Sequence, residues 1–386
     1  MPNKAASRLV LEPYSEEAVI RASRECLQEL GCNPSVVWVF ASSDYRPHLA
    51  DFLELIQLHS HATLLLGGSA WGLIGSGVEA EAATGFSLQL LSLPNTKLSP
   101  IEFNEQQTDD FTPEQWRNHV GDAADSEAWL FVGNPVKMGA ELWLKNWSAA
   151  FPGVPALGGL LSGGEQEDDI FVFHNRQLVE AGIALGLKGG FKLHLVIGQG
   201  CRPIGEPHAI TGAEENVLTS IGSVPAYERL NESIESLSKE EKRSVGRNLF
   251  AGFAADEYMD DFRTGDFVIR NVLSTDPESG TVELAAYPRV GQTFQFQLRD
   301  PAAAEEELEH QLELKVREGV RPFACAAFVC RGRGEGLFGR PNHDVEAVGR
   351  HFGTLPTIGL FCNGEVGPMG RSNFVHGYTA AIGLLV

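Results

Sequence analysis

A chain of 386 residues with 43% hydrophobic side chains and 42 glycines is long enough for two or three cores and too apolar for a disordered protein. Its formal net charge of -21 excludes a large phosphate-binding surface, because nucleic acids and anionic membranes are held by Lys and Arg that neutralise phosphate. Cysteines at positions 26, 32, 201, 325, 330 and 362 form no C-x-x-C pair and no zinc-ligand spacing, which fits a reducing cytoplasm better than a disulfide framework.

The opening residues, MPNKAASRLVLEP, lack a signal peptide's apolar core, and no apolar run reaches the roughly 18 residues of a membrane span. Residues 1–35 read as an extension followed by a helix. Ser15 stands as N-cap before EEAVIRASRECLQEL (16–30), whose Val19, Ala22, Cys26, Leu27 and Leu30 share one stripe, and Gly31 ends it. A buried strand VVWVFA (36–41) follows, then a helix over 46–59, a strand TLLLGG (63–68) and a strand GFSLQLLSL (85–93). The order is helix, strand, helix, strand, strand.

That order returns with a helix near 113–121, AWLFVGN (128–134), a helix ELWLKNWSAAF (141–151), VPALGGLL (154–161) and AGIALGL (181–187). It returns a third time with a helix over 302–318, FACAAFVC (323–330), a helix from Asp344 to Phe352, PTIGLF (356–361) and GYTAAIGLLV (377–386). Spacing agrees, since Phe40 to Gly67 and Phe131 to Gly158 both span 27 positions, and Gly67, Gly158 and Gly359 are each followed five residues on by Gly72, Gly163 and Gly364. Alternating strands and helices predict an α/β fold of repeated modules, with largely parallel or mixed sheets and flanking helices. Between the second and third modules, GSVPAYERLNESIESL (222–237) reads as a turn and a helix, DFVIRNVLSTDPESGTVELAAY (266–287) as a hairpin, and QTFQFQL (292–298) as a strand. Two domains are predicted, 36–221 with the first two modules and 222–386 with the third.

Ligands of such sheets bind beyond the carboxyl ends of the strands. Loops at those ends are ASSDY (41–45), GSAWG (68–72) with Trp71, GNPVKMG (133–139), LSGGE (161–165) with Ser162, CRGRGEG (330–336) and CNGEVGP (362–368). CRGRGEG lacks both the G-K-[ST] ending of a P-loop and the G-x-G-x-x-G dinucleotide fingerprint, so no nucleotide cofactor is expected. It carries two guanidinium groups, Arg331 and Arg333, on a loop whose Gly334 frees backbone N–H groups for an anion. Cys330 and Cys362 each end a strand, and a nucleophilic cysteine needs a base, for which His343 or His351 are available. The 11 histidines show no H-E-x-x-H or other tight ligand spacing, so no metal is expected.

Together these stretches resemble the FIST family, a FIST N domain followed by a FIST C domain. The first part of the resemblance rests on the first two modules and on IGQGCRPIGEPHAITGAEENVLTSIGSVPAYERL (197–230), which includes Arg202. The second rests on FVCRGRG (328–334), VEAV (345–348), GLFCNGEVGP (359–368) and NFVHGYTAAIGLLV (373–386). The resemblance implies a cytoplasmic sensory module for signal transduction that binds small molecules, with an amino acid or other small carboxylate as the expected ligand and no established catalysis. No F-box-like segment precedes residue 36 and no kinase, cyclase or receiver segment is visible, so any output is expected to pass to a separate signalling partner.

The expected site has a ligand carboxylate on Arg331 and Arg333, an amine or amide on Glu365 and Asn363, and backbone N–H groups at Gly334 and Gly364, with Ser162, Trp71 and Arg202 nearby. Arg333→Ala is then expected to abolish binding and leave the fold intact. One rival is an enzyme of acyl or amide transfer through Cys330 or Cys362. Another is a scaffold that recruits a protein partner.

Overall fold

The computed structural model describes residues 2–386 except Glu165, Tyr258, Asp260 and Asp261, and leaves out the side chain of Ser244. Glu165, the last residue of the LSGGE loop, therefore lies outside the described residues. The chain divides into two compact units: the first holds everything up to Ile197 with Leu308–Val375 and Thr379–Val386, and the second holds Gly198–Glu307 with His376–Tyr378.

The first unit contains all three modules, and the reason lies in the two faces of their central strands. Val36–Ala41 is buried along its whole length. Its Val36, Trp38 and Phe40 enter one core, while Val37, Val39 and Ala41 pack under the helices Glu16–Leu30 and Leu49–Ser60. Period-two alternation puts successive side chains on opposite faces, and a sheet covered on both sides needs apolar residues on both. Ala128–Gly133 repeats this, with Leu130 and Val132 in the same shared core and Trp129 and Phe131 under their own helices. So does Ala324–Cys330, with Ala324, Ala326 and Phe328 in the shared core and Cys325, Ala327 and Val329 facing outward to a third helical layer. Three sheets thus bury their inner faces against one another, and each fully buried Val, Leu or Phe there contributes about 1.5–3 kcal/mol. The boundary near residue 222 marked in the sequence reading is not where compactness divides the chain, because this common core draws the third module to the first two.

Strand order within the three sheets is equivalent. The first runs Lys4–Val10, Phe86–Ser92, Val36–Ala41, Leu65–Ser69, Val172–His174, Gln177–Val179. The second runs Lys97–Phe103, Gly182–Lys188, Ala128–Gly133, Ala156–Leu160, Glu365–Met369, Ser372–His376. The third runs Leu193–Gln199, Thr379–Leu385, Ala324–Cys330, Thr357–Cys362, Leu73–Gly75, Val78–Ala80. In each, the middle pair is parallel and both of its outer neighbours are antiparallel, so the sheets are mixed. The last two strands of every sheet form a short segment lent by another module: the first module's goes to the third sheet, the second's to the first, and the third's to the second. The strand at Lys4–Val10, absent from the sequence reading, forms the open edge of the first sheet.

The repeated glycines have a common cause. Pairing register sets Gly67 against Val39, Gly158 against Phe131 and Gly359 against Ala327. A Cβ at these positions would fall 1.7, 1.9 and 2.0 Å from the facing carbonyl oxygen. No side chain fits there. The first of the matched 27-residue spacings is therefore one position out of register, since Phe40 pairs with Gly68.

The second unit is all antiparallel around a closed ring of six strands: Thr293–Arg299, His208–Glu214, Val217–Ile221, Thr281–Leu284, Phe267–Asp276 and Leu249–Ala254, which pairs back to the first. The hairpin read at 266–287 and the strand at 292–298 are both part of this ring. Ile210, Leu218, Val282, Phe294 and Phe296 fill it, and the amphipathic helix Ala226–Glu235 adds Leu230.

Candidate functional site

At the carboxyl ends of the three second strands, Trp71, Ser162 and Asn363 occupy equivalent places, each four residues beyond its glycine. They interlock. The Trp71 N–H donates to Ser162 Oγ at 2.8 Å, Ser162 donates to the Phe361 carbonyl, and Asn363 Nδ2 donates to the Leu161 carbonyl at 3.0 Å. Gly72 and Gly364, one residue further on, accept backbone bonds from Phe361 and Leu160 at 3.0 and 2.8 Å. Ser162 is wholly buried and its oxygen is used in both directions, which makes it a lock between modules. Trp71 and Asn363 remain open to solvent in part.

The CRGRGEG loop leaves the third sheet beside this junction. Cys330 pairs with Cys362 across the parallel strands, and the Arg331 N–H donates to the Cys362 carbonyl at 3.1 Å. Arg331 is exposed, its guanidinium lies 4.6 Å from the Trp71 ring centroid, and Nη1 is 3.5 Å from Asn363 Oδ1. Among the described residues, no carboxylate pairs with Arg331.

Arg333 is different. Only 1% exposed, it donates from Nε and Nη2 to Asp344, both at 2.8 Å, and its guanidinium lies over the Phe338 ring at 5.2 Å. His343 Nδ1 is 2.9 Å from Asp344 Oδ1, and the His343 ring stacks on Phe338. Burial alone raises the Asp344 carboxyl, but the Arg333 charge and hydrogen bonds, with His343, outweigh it and hold the group below its ordinary range. The carboxylate foreseen for Arg333 in a ligand is therefore supplied by Asp344. The anion foreseen at the glycine loop is also internal, since Glu81 accepts from the Glu335 N–H at 2.6 Å in the space that the missing side chain of Gly334 leaves.

Glu79 comes from the same lent segment and caps the helix His343–Phe352, its Oε1 accepting from the Val345 N–H at 2.9 Å. Burial first, and the nearby Asp344 charge second, raise its carboxyl to about 8. Below its ordinary 4.5 both folded and unfolded chains hold this proton, and as pH rises toward 8 only the folded chain must keep it. Stability contributed here is expected to be full in acid and to be lost up to about pH 8, at about 1.4 kcal/mol per unit of displacement. Glu79→Gln keeps the acceptor and cannot ionise, so urea midpoints measured across this range should decline less in the variant than in the parent.

Glu365 is fully buried in the strand Glu365–Met369, and its carboxyl accepts from the Thr379 N–H at 3.4 Å. Burial raises its carboxyl well above the ordinary range, and Thr379, Arg333 and Cys330 pull back without cancelling that. Cys362 is equally buried, donates weakly to the Leu360 carbonyl, and is pushed well up by burial and by Glu365. A thiol so placed is not a nucleophile. His351 pairs with Glu309 at 2.6 Å on the outer helical layer and is not at the site. Arg202 lies in the second unit, where Asp300 at 3.0 Å and Glu241 take up its guanidinium.

Asp344, Glu79 and Glu81 were not foreseen. Asp344 sits in a helix first turn, where an acid usually serves the dipole alone, and in Val78–Ala80 the apolar Val78 is exposed while Glu79 is buried, reversing the usual pattern. Among the described residues no cluster of His, Cys, Asp and Glu could hold a metal, and no helix is long and apolar enough to cross a membrane.

Two relatives match nearly end to end. An uncharacterized protein of Mycobacterium tuberculosis is 30% identical over 377 residues, 97% of both chains, and one of Mycobacterium bovis is 30% identical over 376 residues, 97% of this chain and 96% of that. A solved structure of cyanuric acid hydrolase aligns over 99% of this chain and 100% of its own at 10% identity and a TM-score of 0.30, too low for any argument. The FIST N domain profile matches residues 35–223 and the FIST C domain profile residues 226–368, so the junction between them falls inside the second compact unit. FIST domains are sensory and signal-transduction domains, and this chain, matched by both over most of its length, belongs to the FIST family.

Proposed function

We propose that this protein is a cytoplasmic small-molecule sensor whose ligand is an amino acid or other small carboxylate, bound where the strand ends of the three modules meet. One observation carries the reading: Arg331 is an exposed cation at that junction, oriented by stacking on Trp71 and by Asn363, without a carboxylate of its own among the described residues. A planar guanidinium fixed against an indole offers its outer edge to a carboxylate in bidentate fashion. Asn363 supplies an amide for the ligand's other polar end. Six cysteines, none in a disulfide, suit a reducing compartment. A separate signalling protein is the recipient we expect for the output.

The test is thermal denaturation of the parent and of Arg331→Ala against a panel of amino acids and small organic acids. A ligand at about 100 times its Kd adds about 2.7 kcal/mol to stability, which raises the melt by several degrees. Arg331→Ala should lose that shift while its own melt stays close to the parent's, since the exposed stack is worth about 0.5–1 kcal/mol. A variant that keeps the full shift removes Arg331 from the site, and a panel in which nothing shifts the parent removes the small-carboxylate reading.

A further inference from the structure

The contact between Arg331 and Trp71 has a counterpart in the first module. Arg331 follows Ala324–Cys330, the central strand of its module, and lies on the aromatic ring that stands two residues ahead of Leu73–Gly75, the short strand lent to its sheet. Arg46 follows Val36–Ala41 on the turn Ser43–His48. Its guanidinium lies 5.8 Å from the ring centroid of Phe171, which directly precedes Val172–His174, the strand lent to the first sheet. In the remaining module the pattern breaks. Asn363 and Gly364 stand ahead of the lent strand Glu365–Met369 in place of an aromatic, and Lys137 on the loop concerned pairs with Glu167.

The surroundings of Arg46 are fixed. The Phe171 N–H donates to Ser69 Oγ at 3.1 Å, the Ser69 N–H donates to the Phe171 carbonyl at 2.9 Å, and Phe171 is buried. Next to Arg46, Tyr45 is fully buried, with its hydroxyl donating to the Glu12 carbonyl at 2.9 Å and its ring edge-on to Phe52 and Phe86. Arg46 itself is half-buried, and among the described residues no carboxylate pairs with it and its buried Nε has no hydrogen-bond partner. At Arg333 the same need is met by Asp344. A charged donor kept from water without an acceptor is costly, so Arg46 wants an oxyanion that no described residue supplies.

We propose that Arg46 is a second binding site for a small carboxylate, repeated from the site at Arg331 and filled separately from it. The guanidinium itself carries the ligand class, since its Nε and one Nη form a fork that matches the two oxygens of a carboxylate. A carboxylate at the mouth of the turn draws that edge off Phe171 and gives the orphaned Nε its acceptor. Because the modules repeat, the same small carboxylates are expected at both arginines. The inference shares only its ligand class with the function proposed above, and either can fail without the other.

The full-length chain is treated with phenylglyoxal, which modifies guanidinium groups, in sodium acetate or sodium glutamate and in sodium chloride of equal ionic strength, and each arginine is followed by mass spectrometry. Salts up to about 50 mM are enough to fill a millimolar site. Arg46 and Arg331 should each be modified at least about threefold more slowly in one of the carboxylates, the slowing that occupancy gives at about twice the Kd. Arg176, which pairs with Glu54 at the surface, should not respond. An Arg46 rate equal in carboxylate and chloride, or an Arg176 slowed as much as Arg46, overturns the second site. Protection of Arg331 alone does the same and leaves the function proposed above standing. Protection of Arg46 alone keeps this site and removes the anchor at Arg331. Arg331→Ala tests separateness, since Arg46 should keep its full protection in that variant. If the protection is lost, one ligand spans both arginines and the separate site is overturned.

Discussion

Arg333→Ala is expected to destabilise the first unit by about 3–5 kcal/mol, because it leaves Asp344 charged and buried without its partner. Removing the guanidinium also removes the charge that offsets burial at Glu365 and Glu79, so three carboxyls lose support at once. Urea denaturation of the parent and the variant measures the loss directly. This is the reverse of the expectation drawn from sequence, in which the same change abolishes ligand binding and spares the fold. The difference arises because a guanidinium on a glycine loop looks alike whether it faces a ligand or an internal carboxylate. A variant within about 1 kcal/mol of the parent means that the Arg333–Asp344 pair is not what holds the loop. Any loss of ligand binding in Arg333→Ala is uninformative until Arg331→Ala has been measured beside it.

Gly158→Ala should be at least as damaging, at more than about 3 kcal/mol or outright failure to fold. Elsewhere in a strand, replacing glycine by alanine stabilises by about 0.4–1 kcal/mol, since it narrows the unfolded ensemble. Here the new Cβ would sit 1.9 Å from the Phe131 carbonyl oxygen, 2.7 Å from its carbon and 3.0 Å from its Cα. All three atoms belong to the backbone of the paired parallel strand, which cannot retreat without breaking the ladder that joins Ala128–Gly133 to Ala156–Leu160. Expression level and melting temperature of the variant report the outcome. A melt at or above the parent's contradicts the close approach.

The sequence alone was enough for whatever depends on local chemistry. Ser15 accepts from the Ala18 N–H and Gly31 is left-handed at φ 70, so the helix between them keeps the limits its caps imply. VVWVFA, AWLFVG and ACAAFVC are strands buried on both faces, as unbroken apolar runs require. Threefold repetition was visible through its glycines because the same backbone approach recurs in every module. The strand Lys4–Val10 was missed because this half-buried edge strand mixes Lys4, Ser7 and Arg8 among its apolar residues and so carries little of that apolar signal.

The exchange of short strands between modules, and everything that follows from it, was decided by tertiary structure. Glu79 and Glu81 reach the third module's helix and loop from 266 and 254 residues away, respectively. Such pairings leave no periodic trace in a chain. Period, caps and close approaches act within a few residues or repeat at fixed intervals, whereas the sign and depth of a charge's surroundings are set by whichever distant segment is packed against it. Sequence therefore located the loops, the cations and the thiols of this protein. Only the packing settled that Arg333 is an internal counter-ion, that Cys362 is sealed, and that Arg331 is left facing outward.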